Sequence, residues 1–180
     1  MIPDEARLVK YIARKDLVRT AAYVDLAVSV KSTADYTCLA YLGITSAMDV
    51  VVLNIVRGRW AWPDARRVIA SEVLRLGIRD LGIESVAFQL AAVQELQRMP
   101  ELAHVAIRAV SVDKDKVSRA LPLSARAEAG QLYLVKAGWN EDLIEELCSF
   151  PNGSHDDQVD ALSGAFEKVS GYSGPLAVLL

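Results

Sequence analysis

The stretch Pro151-Asn-Gly-Ser-His-Asp-Asp-Gln-Val-Asp-Ala-Leu162 sets three aspartates into the first two turns of a helix that follows an aromatic-proline turn. With Ser154 as N-cap, Asp156 and Asp160 stand four apart and Asp157 and Asp160 three apart, so their side chains share one helical face. Like charges crowd there. No Lys or Arg lies between Lys136 and Lys168, and Glu141, Asp142, Glu145 and Glu146 add negative charge upstream. The helix macrodipole relieves such crowding by only about 0.3–1 kcal/mol per carboxylate, whereas a divalent cation relieves far more. The competing reading is a capping box, Ser154-x-x-Asp157, which needs no ligand. On this stretch alone both stay open.

The chain has 180 residues, 52% hydrophobic and 24% charged, enough for one domain with a sizeable core and too few for two. Charge interrupts every apolar run, so no segment has the length to cross a bilayer, and no secretory segment opens the chain. The expectation is a cytoplasmic protein without a membrane partner. Cys38 in a strand-like run and Cys148 in a helical one read as two buried thiols rather than a disulfide framework or a zinc cluster.

A formal net charge of −3 argues mildly against tight, nonspecific nucleic-acid binding, but the charges are segregated. Arg7, Lys10, Arg14, Lys15 and Arg19 come first, Arg57, Arg59, Arg66 and Arg67 gather mid-chain, and Lys114, Lys116, Arg119 and Arg126 follow. These are either a basic track beside an acidic pocket or ordinary solvated faces. Trp60 and Trp62, beside Arg57 and Arg59, are either base-stacking groups or cover for a sheet edge.

Hydrophobic periodicity gives the architecture. Residues 4–18 look helical, and Ala21–Val30, Tyr36–Ile44 and Val50–Val56 read as three strands joined by short links, an antiparallel meander. Pro63 opens a helix that Gly77 closes. Ile83–Phe88 and Val105–Val112 are further strands, separated by a helix over Gln89–Arg98. Lys116–Ala129 is helical or irregular and broken at Pro122; Leu132–Val135 is an edge strand, and Glu141–Cys148 and Asp156–Val169 are helices. A meander followed by alternating helix and strand makes an α/β domain with a mixed sheet flanked by helices.

Two further acids occupy costly positions. Asp25 lies inside the first strand, on the face of Tyr23 and Ala27, and Glu84 near the start of the fourth. Each has a bland explanation: Asp25 bonding a neighbouring amide at a sheet edge, Glu84 pairing with Arg79 or Arg108. Brought together with the aspartates of the last helix, they make an all-oxygen site suited to Mg²⁺ or Mn²⁺ rather than zinc. Two such ions about 3.5–4 Å apart activate water and stabilise the leaving oxygen of a phosphodiester.

At this point the chain resembles the C-terminal nuclease domain of a phage terminase large subunit, an RNase H-like fold. The matching pieces are Val24-Asp-Leu-Ala27, Asp35-Tyr-Thr37, Gly82-Ile-Glu84, Lys116-Val-Ser-Arg-Ala120 and Phe150-Pro-Asn-Gly-Ser-His-Asp-Asp-Gln-Val-Asp-Ala161, across about residues 20–168. The resemblance implies Asp25, Glu84 and Asp157 as catalytic metal ligands, with Asp25 bridging two ions and Asp160 serving a second metal. His155 and Asp156 then hold waters or a phosphate around the ligands, and Asp35 is a turn residue. Lys116 and Arg119 contact DNA phosphate in the same picture, and Arg57 and Arg59 are assigned to DNA binding. His104 is not expected to be a ligand.

The domain is expected over residues 20–170, with 1–19 as a connector and 171–180 as a tail. No G-x-x-x-x-G-K-[ST] loop occurs, so packaging-motor activity is not assigned; the chain reads as an excised domain or the product of a short gene. The leading expectation is a two-metal endonuclease cutting double-stranded DNA with little sequence preference. Its implied partners are an ATPase motor domain, a small terminase subunit and a portal. The rivals are a Holliday-junction resolvase-like nuclease and a noncatalytic domain that docks on DNA or a packaging partner.

Overall fold

The structure is a computed structural model and describes residues 12–27, 36–85 and 89–171. Six strands form one sheet: β1 (Leu17–Asp25), β2 (Thr37–Thr45), β3 (Val50–Gly58), β4 (Asp80–Glu84), β5 (Ala106–Val110) and β6 (Leu132–Leu134). Their order is β5-β4-β1-β2-β3-β6. β1, β2 and β3 pair antiparallel, while β4 on β1, β5 on β4 and β6 on β3 run parallel. This is the expected mixed sheet: tight links allow the meander, and each parallel strand is reached through a helical crossover.

Helices cover both faces. Ala22, Val24 and Leu26 of the β1 segment face α1 (Trp62–Leu76) and α2 (Gln89–Gln97), in a core with Ile69, Val73, Val93 and Leu96. Ala21 and Tyr23 face the other way, in a core with Leu123 of α3 (Lys116–Glu128), Leu143 of α4 (Asn140–Ser149) and Ala161, Leu162 and Phe166 of α5 (Asp157–Ser170). The period of two along one strand thus feeds two separate cores. α5 is buried from Asp157 through Phe166, because the sheet lies under it while α3 and α4 pack alongside. Small residues permit the close approach: a Cβ on Gly164 would sit 2.6 Å from the Tyr23 ring.

Several sequence expectations need correction. β1 starts at Leu17 and ends at Asp25, so Asp25 terminates the strand instead of lying within it. Leu26 and Ala27 are outside it, and residues 28–30 lie outside the described residues. β4 runs Asp80–Glu84, which moves Glu84 from the start of a strand to its end; residues 86–88 are outside the described residues. Of the helix expected over 4–18, the described part holds one 3₁₀ turn, Arg14–Asp16, before the sheet begins; residues 4–11, with Arg7 and Lys10, are outside the described residues.

α3 continues through Pro122, because burial of Ala120 and Leu123 on either side outweighs the missing backbone donor. Cys38 is buried but Cys148 is exposed: Leu143 and Glu146 set the inward stripe of α4, and Cys148 falls off it. Trp62 donates from Nε1 to Glu95, and a Cβ on Gly58 would collide with the Trp60 ring, so both indoles have packing roles.

Candidate metal centre

The parallel pairing of β1 with β4 sets Val24 beside Ile83, so the next residue on each strand, Asp25 and Glu84, brings a carboxylate to the same carboxyl edge of the sheet. Ligands of open α/β sheets gather at such edges. β2 begins at the same end, since Asp25 pairs with Cys38. There the backbone N–H of Tyr36 donates to Asp157 Oδ1 at 3.0 Å, fastening the head of α5 to the sheet. Asp160, one turn on, faces Arg119, whose Nη1 lies 3.4 Å from Glu84 Oε2 and 3.7 Å from Asp160 Oδ1. Four acids from three segments distant in sequence thus form one cluster.

The electrostatics of Asp25 report the crowding. Burial first, then the charges of Glu84, Asp160 and Asp157, push its carboxyl up to about 8. Asp160 is also raised, by burial, against the opposing pull of Lys116 and Arg119. Burial works against the Lys116 ammonium, but the Asp156 and Asp160 carboxylates outweigh it and hold it charged. Its Nζ lies 2.8 Å from Asp156 Oδ1 and 3.0 Å from Asp160 Oδ2. Arg119 is likewise held charged: burial opposes it, and Glu84 leads the groups that outweigh burial. The Tyr23 phenol, pushed up by burial and then by Glu84, stays protonated and donates to Glu84 Oε2 at 3.4 Å.

The donor set is oxygen-rich and suits a hard divalent ion. Even so, among the described residues no three His, Cys, Asp or Glu side chains converge tightly enough to hold one as they stand. Lys116 and Arg119 sit among the carboxylates, pairing with Asp156, Asp160 and Glu84. The fit to a divalent ion is therefore one of donor chemistry, oxygen ligands only, and not of ligand geometry.

The remaining expected residues divide around this cluster. His155 Nδ1 is 3.7 Å from Asp157 Oδ2, and its ring meets Tyr36 edge-on with centroids 5.1 Å apart. Asp156 pairs with Lys116. Arg59 stacks over the Tyr36 ring at 3.8 Å and Arg57 at 4.9 Å, so both lie on the α5 side of the sheet end. Arg57 also binds Asp142 and Glu146. Arg119 is an interior residue, 4% exposed, rather than part of a solvated face. Asp35 lies outside the described residues. The partner of Glu84 is Arg119, not Arg79 or Arg108.

Ser154 does not cap α5, and the competing capping box is absent: the N-cap is Asp156 and makes no side-chain cap hydrogen bond. The cap comes from α4 instead. Glu146 Oε1 accepts from the backbone N–H of Gln158 at 2.6 Å and of Val159 at 3.0 Å. Its Oε2 accepts from Gln158 Nε2 at 2.6 Å and Arg57 Nη1 at 3.2 Å. From the sequence, Glu146 counts only as one of four acids adding negative charge upstream of the helix. The available signal was its place on the Leu143–Leu147 apolar stripe, where a carboxylate needs partners.

The structure resembles the human cytomegalovirus terminase nuclease domain, manganese-soaked and inhibitor-bound, with TM-score 0.67 and 16% identity over 93% of this chain and 94% of that one. It resembles the large terminase nuclease of the thermophilic phage G20c with bound magnesium, with TM-score 0.60 and 16% identity over 86% and 83%. A fowlpox virus resolvase in complex with Holliday-junction DNA aligns with TM-score 0.54 and 10% identity over 87% and 100%. At these identities the likeness is one of fold, the RNase H-like arrangement. No curated protein sequence matches. The family described as the terminase RNaseH-like domain matches residues 78–168, from just before β4 into α5. That match covers half of the sequence, and the chain belongs to the terminase RNaseH-like domain family.

Proposed function

We propose that this protein is a divalent-metal-dependent endonuclease acting on double-stranded DNA with little sequence preference, the nuclease part of a viral DNA-packaging terminase. One observation carries the reading. Asp25 and Glu84 end neighbouring parallel strands, under the head of α5, close enough to Asp157 and Asp160 that crowding contributes to the raised Asp25 carboxyl. The fold holds together charges that repel, an arrangement with a use when a cation is bound.

In this reading Asp25, Glu84 and Asp157 hold the metal and Asp160 serves a second ion. When bound, a pair of Mg²⁺ or Mn²⁺ ions supplies Lewis acidity toward the phosphodiester and its attacking water. The chain's own groups orient the ligands: Tyr23 and Arg119 hold Glu84, the Tyr36 amide holds Asp157, and Glu146 fixes the helix that carries Asp157 and Asp160. Asp25, protonated near neutrality without metal, gives up its proton on ligation. Lys116 on one flank and Arg57 and Arg59 on the other are the groups proposed to meet DNA phosphates. The implied assembly joins this domain to an ATPase motor domain, a small terminase subunit and a portal.

A noncatalytic docking domain is the second reading, favoured by the neutralisation that Lys116 and Arg119 already give the cluster. Plasmid nicking with Mn²⁺ or Mg²⁺ separates the two. The nuclease reading expects metal-dependent cutting that falls at least about 100-fold in Asp25→Ala and Asp157→Ala, with weaker Mn²⁺ binding by calorimetry in Asp157→Ala. No metal-dependent cutting, with Mn²⁺ binding the same in wild type and Asp157→Ala, leaves the docking reading.

A further inference from the structure

Arg119 stands between two compartments. Its Nη1 faces Glu84 and Asp160 in the carboxylate cluster. The same side chain lines a cleft of about 460 Å³, bounded by Asp80, Arg108, the loop Ser111–Lys114 and the last two turns of α5 with Glu167 and Lys168. None of the four clustered acids lines that cleft, so Arg119 is what the two compartments share.

Two nitrogens of Arg119, Nε and Nη2, are buried without a hydrogen-bond partner, in a residue only 4% exposed. Buried donors are almost always satisfied, and leaving one unsatisfied costs about 1–3 kcal/mol, more on a charged group. Arginine has no acceptor lone pair, so what it lacks is an acceptor. The cleft brings further cations to the same space. Lys168 binds Asp80 at 2.8 Å, Lys114 reaches Glu167 only at 3.9 Å, and Arg108 forms no ion pair among the described residues. Asp80 is thereby answered by Lys168, while Glu167, met only at 3.9 Å, and Asp113 are the other carboxylates of the lining.

We propose that this cleft is a binding site for a phosphate oxyanion, separate from the metal centre and walled from it by Arg119. Arg108, Lys114, Lys168 and the Ser111 hydroxyl are the groups that receive it, and phosphate oxygens against the Arg119 wall supply acceptors for Nε and Nη2. The phosphate comes either from the backbone of bound DNA or from a free phosphate-bearing molecule. The DNA source rests on the nuclease reading; the site itself does not.

The test uses the full chain in EDTA, so neither metal nor cleavage enters. Thermal unfolding is followed in sodium phosphate and in sodium chloride at matched ionic strength, for wild type and for the double variant Arg108→Gln/Lys114→Gln. Both positions are exposed, so the variant should match wild type in chloride. Phosphate at ten times its Kd is expected to raise the wild-type Tm by about 3–6 °C, and the variant should lose most of that rise. A second arm measures anisotropy of a labelled 20-base-pair duplex. A three- to tenfold weaker affinity in the variant, with a salt slope smaller by about 1–2, identifies DNA as the source. An unchanged duplex affinity in a variant that has lost the phosphate effect identifies a free phosphate ligand. No phosphate-specific stabilisation of wild type, or full retention in the variant, overturns the site. Failure of the nuclease reading shows separately, as absent nicking beside an intact phosphate effect.

Discussion

Glu146 Oε1 accepts the backbone N–H of Gln158 at 2.6 Å, so a buried carboxylate on α4 caps the helix that carries Asp157 and Asp160. Glu146→Ala leaves the Gln158 and Val159 amides without that acceptor and Arg57 without one of its two carboxylates. A loss of roughly 2–4 kcal/mol is expected by urea unfolding in EDTA, with Glu146→Gln recovering part of it. Mn²⁺ binding should weaken as well, although Glu146 is not a proposed ligand. Wild-type stability in Glu146→Ala would show that the cap contributes nothing.

Asp25 makes metal-free stability depend on pH. Its folded carboxyl is raised to about 8 from an unfolded value of 3.8. The unfolded chain therefore loses this proton first as pH rises, and the folded state loses relative stability between about pH 4 and pH 8. Its contribution is whole below pH 4 and gone above pH 8. Asp25→Asn should flatten that part of the profile and stabilise the metal-free protein at pH 8 relative to wild type. Matching denaturant midpoints at pH 5 and pH 8, compared between wild type and Asp25→Asn, checks the sign.

The same proton competes with a cation. Calorimetric Mn²⁺ affinity should climb from pH 6 to pH 8 with proton release approaching one per Asp25, read from titrations in buffers of different ionisation enthalpy. Asp25→Asn should bind Mn²⁺ weakly at every pH in that range. An affinity independent of pH would mean Asp25 is not a ligand.

Gly164 is a close-approach position: a Cβ there meets Tyr23 Cδ1, Cε1 and Cζ at 2.6 Å. Gly164→Ala should destabilise by about 1–3 kcal/mol despite alanine's better helix propensity. Because Tyr23 donates to Glu84, the variant should also cut more slowly than its remaining folded fraction explains. A more stable variant would show that the helix and sheet relax apart at no cost.

Arg57 and Arg59 share Tyr36 yet should behave differently. Arg57 is held by Glu146 and Asp142, so Arg57→Ala should lower stability by about 1–3 kcal/mol through the stranded buried carboxylate. Arg59→Ala removes a contact over Tyr36 of the kind that contributes about 0.5–1 kcal/mol at exposed sites. Its main effect should be weaker duplex binding and a salt slope reduced by about 1 in anisotropy titrations. Equal duplex affinity in Arg59→Ala would take this arginine out of the DNA interface.

Much of this molecule is legible without coordinates because its signals are local. Alternation along Ala21–Val24 and the closely spaced runs that became β2 and β3 require a meander, and Pro63 and Gly77 bracket α1, with Gly77 left-handed at φ 67°. The charge count around Asp156, Asp157 and Asp160 is a matter of spacing alone. The role of Glu146 is not, because the identical residue on a solvated stripe would cap nothing; only the packing of α4 on α5 gives it two amides to bind. Nor does any spacing reveal that Arg119 is interior, with one nitrogen toward Glu84 and Asp160 and two without partners. Local patterning placed most of the strands and helices, though not the ends of β1 and β4, and supplied the kinds of acid available. Tertiary structure alone decided which acids meet and which cations stand among them, since Coulomb energy depends on distances that chain order does not contain.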